Sequence, residues 1–434
     1  MSTAPSIRPR DRDTVLQALT AGVVPRVGLR HIQVGRNREI AALVQDIDRV
    51  ADGGAAIRFV IGEYGAGKTF FLNLVRLIAL ERRCVTIGAD LAPDRRIHAT
   101  GGQARGLYAE AVRNMATRTK PEGGALTSIV ERFVTECVRE AEGGGASVEH
   151  AIDERLRPLQ EHVGGHDYAT VLKTYWRASE DGDEALKAAA LRWLRAEYPT
   201  RTEARQALGV RSIIDDADVY DSLKLLAVFV RLAGYAGLVV IFDEMVNIYK
   251  LQSSQARNQN SEQILRILND VLQGGVEGLG FLFGGTPEFL MDSRRGLYSY
   301  QALQSRLAEN SFATGGLVDM TGPVLRLQNL TPEELLILLG NLRSVFACGD
   351  ETKYLVPDEA LTAFMEHCNR RIGEAYFRTP RNTIKAFVQF LRVLEQNPGV
   401  EWRELLGEVA LEQEEPEPAD EGDQGDDDLA TLRL

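Results

Sequence analysis

The chain has 434 residues, of which 44% are hydrophobic and 26% charged, with a formal net charge of −12. That length and apolar content suffice for two or three packed domains. No apolar run reaches the roughly 18–20 residues a bilayer-spanning helix needs, and no apolar signal core follows Met1, so a cytoplasmic protein without a membrane partner is expected. Cys84, Cys137, Cys348 and Cys368 are widely spaced and form no Cys-x-x-Cys pair, which reads as reduced thiols and gives no sign of zinc. His162 and His166 stand at ligand spacing, but no further ligand-type residue joins them, and a surface pair is the better account. The charge is uneven. Ten acids and no base fall within 412–428, and without them and Arg433 the body of the chain carries about −3. That stretch also holds Pro416, Pro418, Gly422 and Gly425 and almost nothing apolar, so 412–434 is expected to be a disordered acidic tail.

Residues 1–30 read as a leader with a short helix near 15–19, packing on the domain that follows. An amphipathic helix comes next, with Ile40, Leu43, Val44, Ile47 and Val50 on one face. The apolar stretch 57–61 is a strand, and 68–80 an apolar helix. Between them stands Gly62-Glu63-Tyr64-Gly65-Ala66-Gly67-Lys68-Thr69, a full Walker A pattern. Its glycines let successive N–H groups turn inward around phosphate oxygens, and the helix N-terminus adds positive potential to the same place. Lys68 is expected to reach the β- and γ-phosphates, and the Thr69 hydroxyl to sit on Mg²⁺. ATP and Mg²⁺ are the expected cofactors, held by Gly62 through Phe70.

A second strand over 84–87 runs into Gly88-Ala89-Asp90-Leu91. From 92 to 222 the pattern is helical and polar, punctuated by glycine pairs, and reads as a helical insertion. Its aromatics Tyr168, Tyr175, Trp176, Trp193 and Tyr198 are either core or base-stacking groups, with core the better account. A helix over 220–234 feeds the continuous apolar run 238–242, the character of a fully buried parallel strand, which ends in Asp243-Glu244. Asp243 is placed to hold the Mg²⁺ shell and Glu244 to polarise the attacking water. Glu244 argues for hydrolysis beyond binding. The strand 279–283 ends near Thr286, a candidate γ-phosphate sensor or else part of a Gly-Pro turn. Arg294, Arg295 and Arg306 follow. Thr331-Pro332 opens the first of three helices, 335–345, 357–369 and 379–394, read as a separate lid. Arg381 falls in the first turn of the third, against the helix dipole, where a nearby phosphate would account for it.

This order of motifs resembles the AAA+ ATPases of the origin-recognition and STAND-like branch. The resemblance implies an α/β fold: an AAA+ P-loop core with a parallel central sheet, a large helical insertion and a C-terminal helical lid. It divides the chain into 1–91 (leader and first part of the core), 92–222 (insertion), 223–325 (second part of the core), 326–411 (lid) and 412–434 (tail). It puts Gly35, Arg36 and Glu39 near the adenine, makes Arg306 an arginine finger given to a neighbouring subunit, and makes Arg381 a second sensor. Gly62-Glu-Tyr-Gly-Ala-Gly-Lys-Thr-Phe70, followed by Asp90-Leu-Ala-Pro-Asp-Arg-Arg-Ile-His98, is similar to the ATP-binding proteins of bacterial phage-exclusion (BREX-like) defence clusters, which are encoded beside a large DNA helicase. From this follow an ATPase acting as motor or switch in an anti-phage DNA-processing system, a homo-oligomer, and a helicase or other defence protein as partner. DNA contact, direct or through that partner, stays open. The chain ends soon after the lid, leaving no room for a winged-helix DNA-binding domain, and no long Lys/Arg patch is visible. The alternative reading is a nucleotide-dependent regulatory module, or a loader of a replication or repair factor, that does not touch DNA.

Overall fold

Five parallel strands carry the fold in this computed structural model, which describes residues 7–145, 147–313, 317–372 and 380–408. They are β1 (Ala55–Ile61), β2 (Val85–Asp90), β3 (Leu238–Asp243), β4 (Leu279–Gly285) and β5 (Val324–Arg326), in the order β2-β3-β4-β1-β5. Each central strand is a short run of apolar residues because both faces of the sheet are covered. Alternation sorts the side chains: Ile57, Phe59 and Ile61 enter one core, while Ala56 and Val60 enter another. The exception is Arg58, which is buried on β1 and pairs with Asp46 at 2.5 Å.

In chain order the helices are α1 (Pro9–Thr20), α2 (Leu29–Ile32), α3 (Asn37–Ala51) and α4 (Lys68–Glu81), then α5 (Gln103–Arg113), α6 (Leu126–Gly144), α7 (Val148–Gln160), α8 (Gly165–Asp181), α9 (Glu184–Leu194) and α10 (Arg201–Leu208). There follow α11 (Val219–Leu232), α12 (Val246–Tyr249), α13 (Ser254–Leu272), α14 (Pro287–Met291) and α15 (Gln301–Leu307). The C-terminal helices are α16 (Pro332–Phe346), α17 (Asp358–Ile372), α18 (Pro380–Gln396) and α19 (Trp402–Glu408). One face of the sheet packs on α3 and α4 through Leu43, Ile47, Val50, Phe71, Leu72 and Val75. The other packs on α11 and α13, and α5–α10 join that same continuous core. Tyr168, Tyr175, Trp193 and Tyr198 are buried there and Trp176 packs against it, so these aromatics are core.

The leader packs in two places: residues 22–25 share a pocket with the loop between β1 and α4, whereas α1 turns to the C-terminal helices. Val15, Leu16 and Leu19 of α1 are buried with Leu335, Leu338, Leu339, Phe387 and Leu391 of the C-terminal helices. Both sheet faces are already covered, and the open apolar stripe is the one on α16 and α18. Arg12 fastens the contact, donating to the Phe346 carbonyl at 2.6 Å and pairing with Glu395 at 2.7 Å. The helix windows expected at 335–345 and 357–369 fall on α16 and α17. Residue 379 and the acidic tail 412–434 lie outside the described residues. Among the described residues no helix is long and apolar enough to cross a membrane.

Because all five strands run the same way, Ile61, Asp90, Asp243 and Gly285 finish along one edge of the sheet. Side chains from four separate segments therefore meet there, the usual place for a ligand in an open parallel sheet.

Candidate nucleotide site

The loop from β1 to α4 turns through two left-handed glycines, Gly65 (φ +79°) and Gly67 (φ +83°), which a side chain would strain. Gly62 holds its place for a different reason: a Cβ there would meet the Leu327 carbonyl oxygen at 3.1 Å. Lys68 curls back over the loop, its Nζ donating to the carbonyls of Gly62 (2.9 Å) and Glu63 (3.0 Å). Burial lowers its pKa, against the opposing pull of Asp243, Glu244, Glu63 and Glu288. Those carbonyls hold the ammonium where incoming phosphate oxygens can take it over.

Thr69 donates its hydroxyl to Asp243 Oδ2 at 2.7 Å, which ties the first turn of α4 to the tip of β3. The other carboxylate oxygen, Oδ1, accepts the Glu244 N–H at 2.9 Å. Glu244 itself is left-handed (φ +57°), a backbone state that L side chains rarely take. Its side chain lines the same cleft as Lys68 and Thr69. Its carboxyl has a raised pKa, from burial first and then from Asp243, with Lys68 acting the other way. One hydroxyl and one carboxylate in contact suit Mg²⁺, which keeps most of its octahedron for water and phosphate oxygens.

The remaining sequence candidates are distributed unevenly. Gly35 (φ +65°) and Arg36 (φ +60°) line the cleft, and Arg36 donates to the carbonyls of Ala66 and Gln328. Phe70 lines it too and also packs against the C-terminal helical core. Arg381, in the first turn of α18, enters from the opposite wall and donates to the Tyr64 hydroxyl at 3.2 Å, its guanidinium 5.4 Å from the Tyr64 ring centre. Thr286 follows β4 directly, and its hydroxyl caps α14 by accepting the Phe289 N–H at 3.4 Å. Arg306 stands apart. It is exposed on α15, bonded to the Ala302 carbonyl at 2.8 Å, and it does not line its own chain's cleft. Glu309, the acid nearest to it in sequence, is paired with Arg326.

Residues 7–410 match a protein-family model described as BrxC_BrxD, BREX system ATP-binding protein BrxC/D. The chain belongs to that family. No curated protein matches it. An ATP-binding role in BREX phage defence therefore stands on the family match.

The sequence reading missed some residues around the BREX protein's cleft. Asp90 pairs in register with Asp243 across β2 and β3, and its carboxyl pKa is raised by burial and by Asp243. Its position after an apolar strand was the available signal. The loop it opens is pinned by Asn247, whose Nδ2 donates to the Leu91 carbonyl at 2.8 Å, and by Asn260, which bonds both the N–H and the carbonyl of His98 at 2.9 Å. Gly284 on β4 leaves room for the Asp243 carboxylate, which a Cβ there would overlap. Nothing local in the sequence announces that requirement.

Proposed function

We propose that this BREX protein hydrolyses ATP as an AAA+ motor or switch in anti-phage DNA processing, with a helicase or other defence protein as partner. The Thr69–Asp243 bond at 2.7 Å, with Glu244 next in the chain and facing the same cleft, carries this reading. Lys68 leaves its loop carbonyls to neutralise the β- and γ-phosphates. Thr69 and Asp243 would hold Mg²⁺, which supplies charge neutralisation on the phosphate oxygens. Glu244, with its pKa raised toward the working range, takes the proton of the attacking water. The sheet order, with β4 between β1 and β3, supports the AAA+ reading, in which Thr286 after β4 would sense the γ-phosphate. Arg381 on the far wall is suited to read the phosphate state, and exposed Arg306 to serve a neighbouring subunit's ATP.

Steady-state phosphate release by purified protein, with and without duplex DNA, tests the proposal. Turnover that rises with protein concentration and with DNA, and disappears in Lys68→Ala together with ATP binding, is the expected result. Near-wild-type ATP affinity of Lys68→Ala by calorimetry would sink it. Turnover indifferent to DNA but raised by a co-purifying protein would assign the chain to the regulatory class.

A further inference from the structure

Arg36 rests on the phosphate loop itself. Its Nη2 donates to the Ala66 carbonyl, and both terminal nitrogens lie 3.7 Å from where a Gly67 Cβ would stand. The same Nη2 reaches the Gln328 carbonyl at 3.4 Å, in the segment that leads from β5 to α16. The guanidinium carbon is 5.9 Å from the Phe71 ring centre, on the first turns of α4.

The peptide plane gives these contacts a consequence. The Ala66 carbonyl and the Gly67 N–H belong to one trans peptide and point in opposite directions. Holding the oxygen on Arg36 turns the N–H the opposite way, and Gly67 N–H is one of the donors with which such a loop cradles phosphate. We propose that Arg36 is a positioning residue that fixes the Gly67 N–H toward the phosphates and ties that orientation to the start of α16. It is not a contact to the nucleobase.

The turn that carries Arg36 is built to keep it there. Gly35 and Arg36 are both left-handed, and Gly35 packs so closely on the Glu334 carboxylate that a Cβ would overlap it, with Glu334 Cδ at 2.8 Å. Glu334 cannot retreat easily, because it closes the α16 capping box: it accepts the Thr331 N–H at 3.0 Å while its own N–H donates to Thr331 Oγ1 at 3.2 Å. Lys68 holds the other end of the loop through Gly62 and Glu63, but must let go when phosphate arrives. In this proposal Arg36 keeps its bonds to the Ala66 and Gln328 carbonyls when phosphate arrives.

The proposal rests on the reading that this loop binds ATP phosphates, and the experiment separates the two. Calorimetric affinities for ATP, GTP and inorganic tripolyphosphate are measured on wild type, Arg36→Ala and Arg36→Lys. Hydrogen exchange of the nucleotide-free proteins is followed over residues 62–70. A charged donor lost from the loop should weaken all three ligands by a similar factor, about tenfold or more, with the ATP-to-GTP ratio held within about twofold. Amides of 62–70 should exchange faster while β3 and β4 keep their protection. Arg36→Lys should be impaired as well, because both bonds come from one terminal nitrogen, Nη2, which the shorter lysine side chain does not bring to both carbonyls. If Arg36→Ala does not fold, the lysine variant carries the same comparison. Selective loss of ATP with tripolyphosphate binding unchanged would make Arg36 a base contact and overturn the proposal. Full recovery in Arg36→Lys would overturn it too. A wild type that binds none of the three ligands would instead sink the nucleotide reading.

Discussion

Glu244 offers a test in which the gain and the loss come from one residue. Its φ of +57° is left-handed, and the state is held locally: the N–H donates to Asp243 Oδ1 at 2.9 Å, and the carbonyl accepts the Asn247 N–H at 3.0 Å. A side chain in that conformation costs about 1–2 kcal/mol relative to glycine. Glycine returns about 0.5–1 kcal/mol of this through its freer unfolded chain. Comparing Glu244→Gly with Glu244→Ala isolates the backbone, because both remove the same carboxylate and its repulsion from Asp243. The glycine variant should therefore be the more stable by about 0.5–1 kcal/mol, with neither variant hydrolysing ATP. Urea unfolding followed by tryptophan fluorescence reads the difference, since Trp176 and Trp193 report on the core that includes β3. An alanine variant as stable as the glycine one would refute the claim that Glu244 is held under strain.

Gly284→Ala should drive a methyl into the Asp243 carboxylate and break its bond to Thr69, costing about 1–3 kcal/mol of stability. Calorimetry should then show a smaller gain in ATP affinity on adding Mg²⁺, and an unchanged gain would contradict the placement. The pH dependence of turnover follows from the raised pKa of Glu244. A base whose pKa is raised is protonated at a higher pH as the solution is acidified, so the acid limb of kcat/KM, which reports the free enzyme, should lie above the ordinary glutamate range and vanish in Glu244→Gln. A limb at the ordinary value would remove Glu244 as the group that sets it.

The parts of this molecule legible in sequence are those written locally. The Gly-x4-Gly-Lys-Thr spacing carries its own strand, turn and helix, and the apolar run ending in Asp243-Glu244 has the character of a buried parallel strand, which it forms as β3. The two motifs meet because parallel strands share a carboxyl edge, which the strand character itself implies. What sequence could not carry were relations between distant segments. Arg36 stands in a Gly-Arg-x-x-Glu box, and its guanidinium reaches Ala66 and Gln328, thirty and nearly three hundred residues away. The place of Gly284 depends on Asp243 in the neighbouring strand, and no pattern around residue 284 reveals it. The short helix near 15–19 is written in the sequence, but its partners on α16 and α18 are not, because a local apolar run does not name what covers it.

The central claim, that this chain binds ATP and hydrolyses it with Glu244 as the base, is tested most directly by Glu244→Gln. Mg-ATP affinity and single-turnover hydrolysis should be measured on the same preparation. Affinity should stay close to wild type while hydrolysis falls by on the order of 10²-fold or more, since the exchange removes a proton acceptor and little else. Hydrolysis at the wild-type rate would contradict the account.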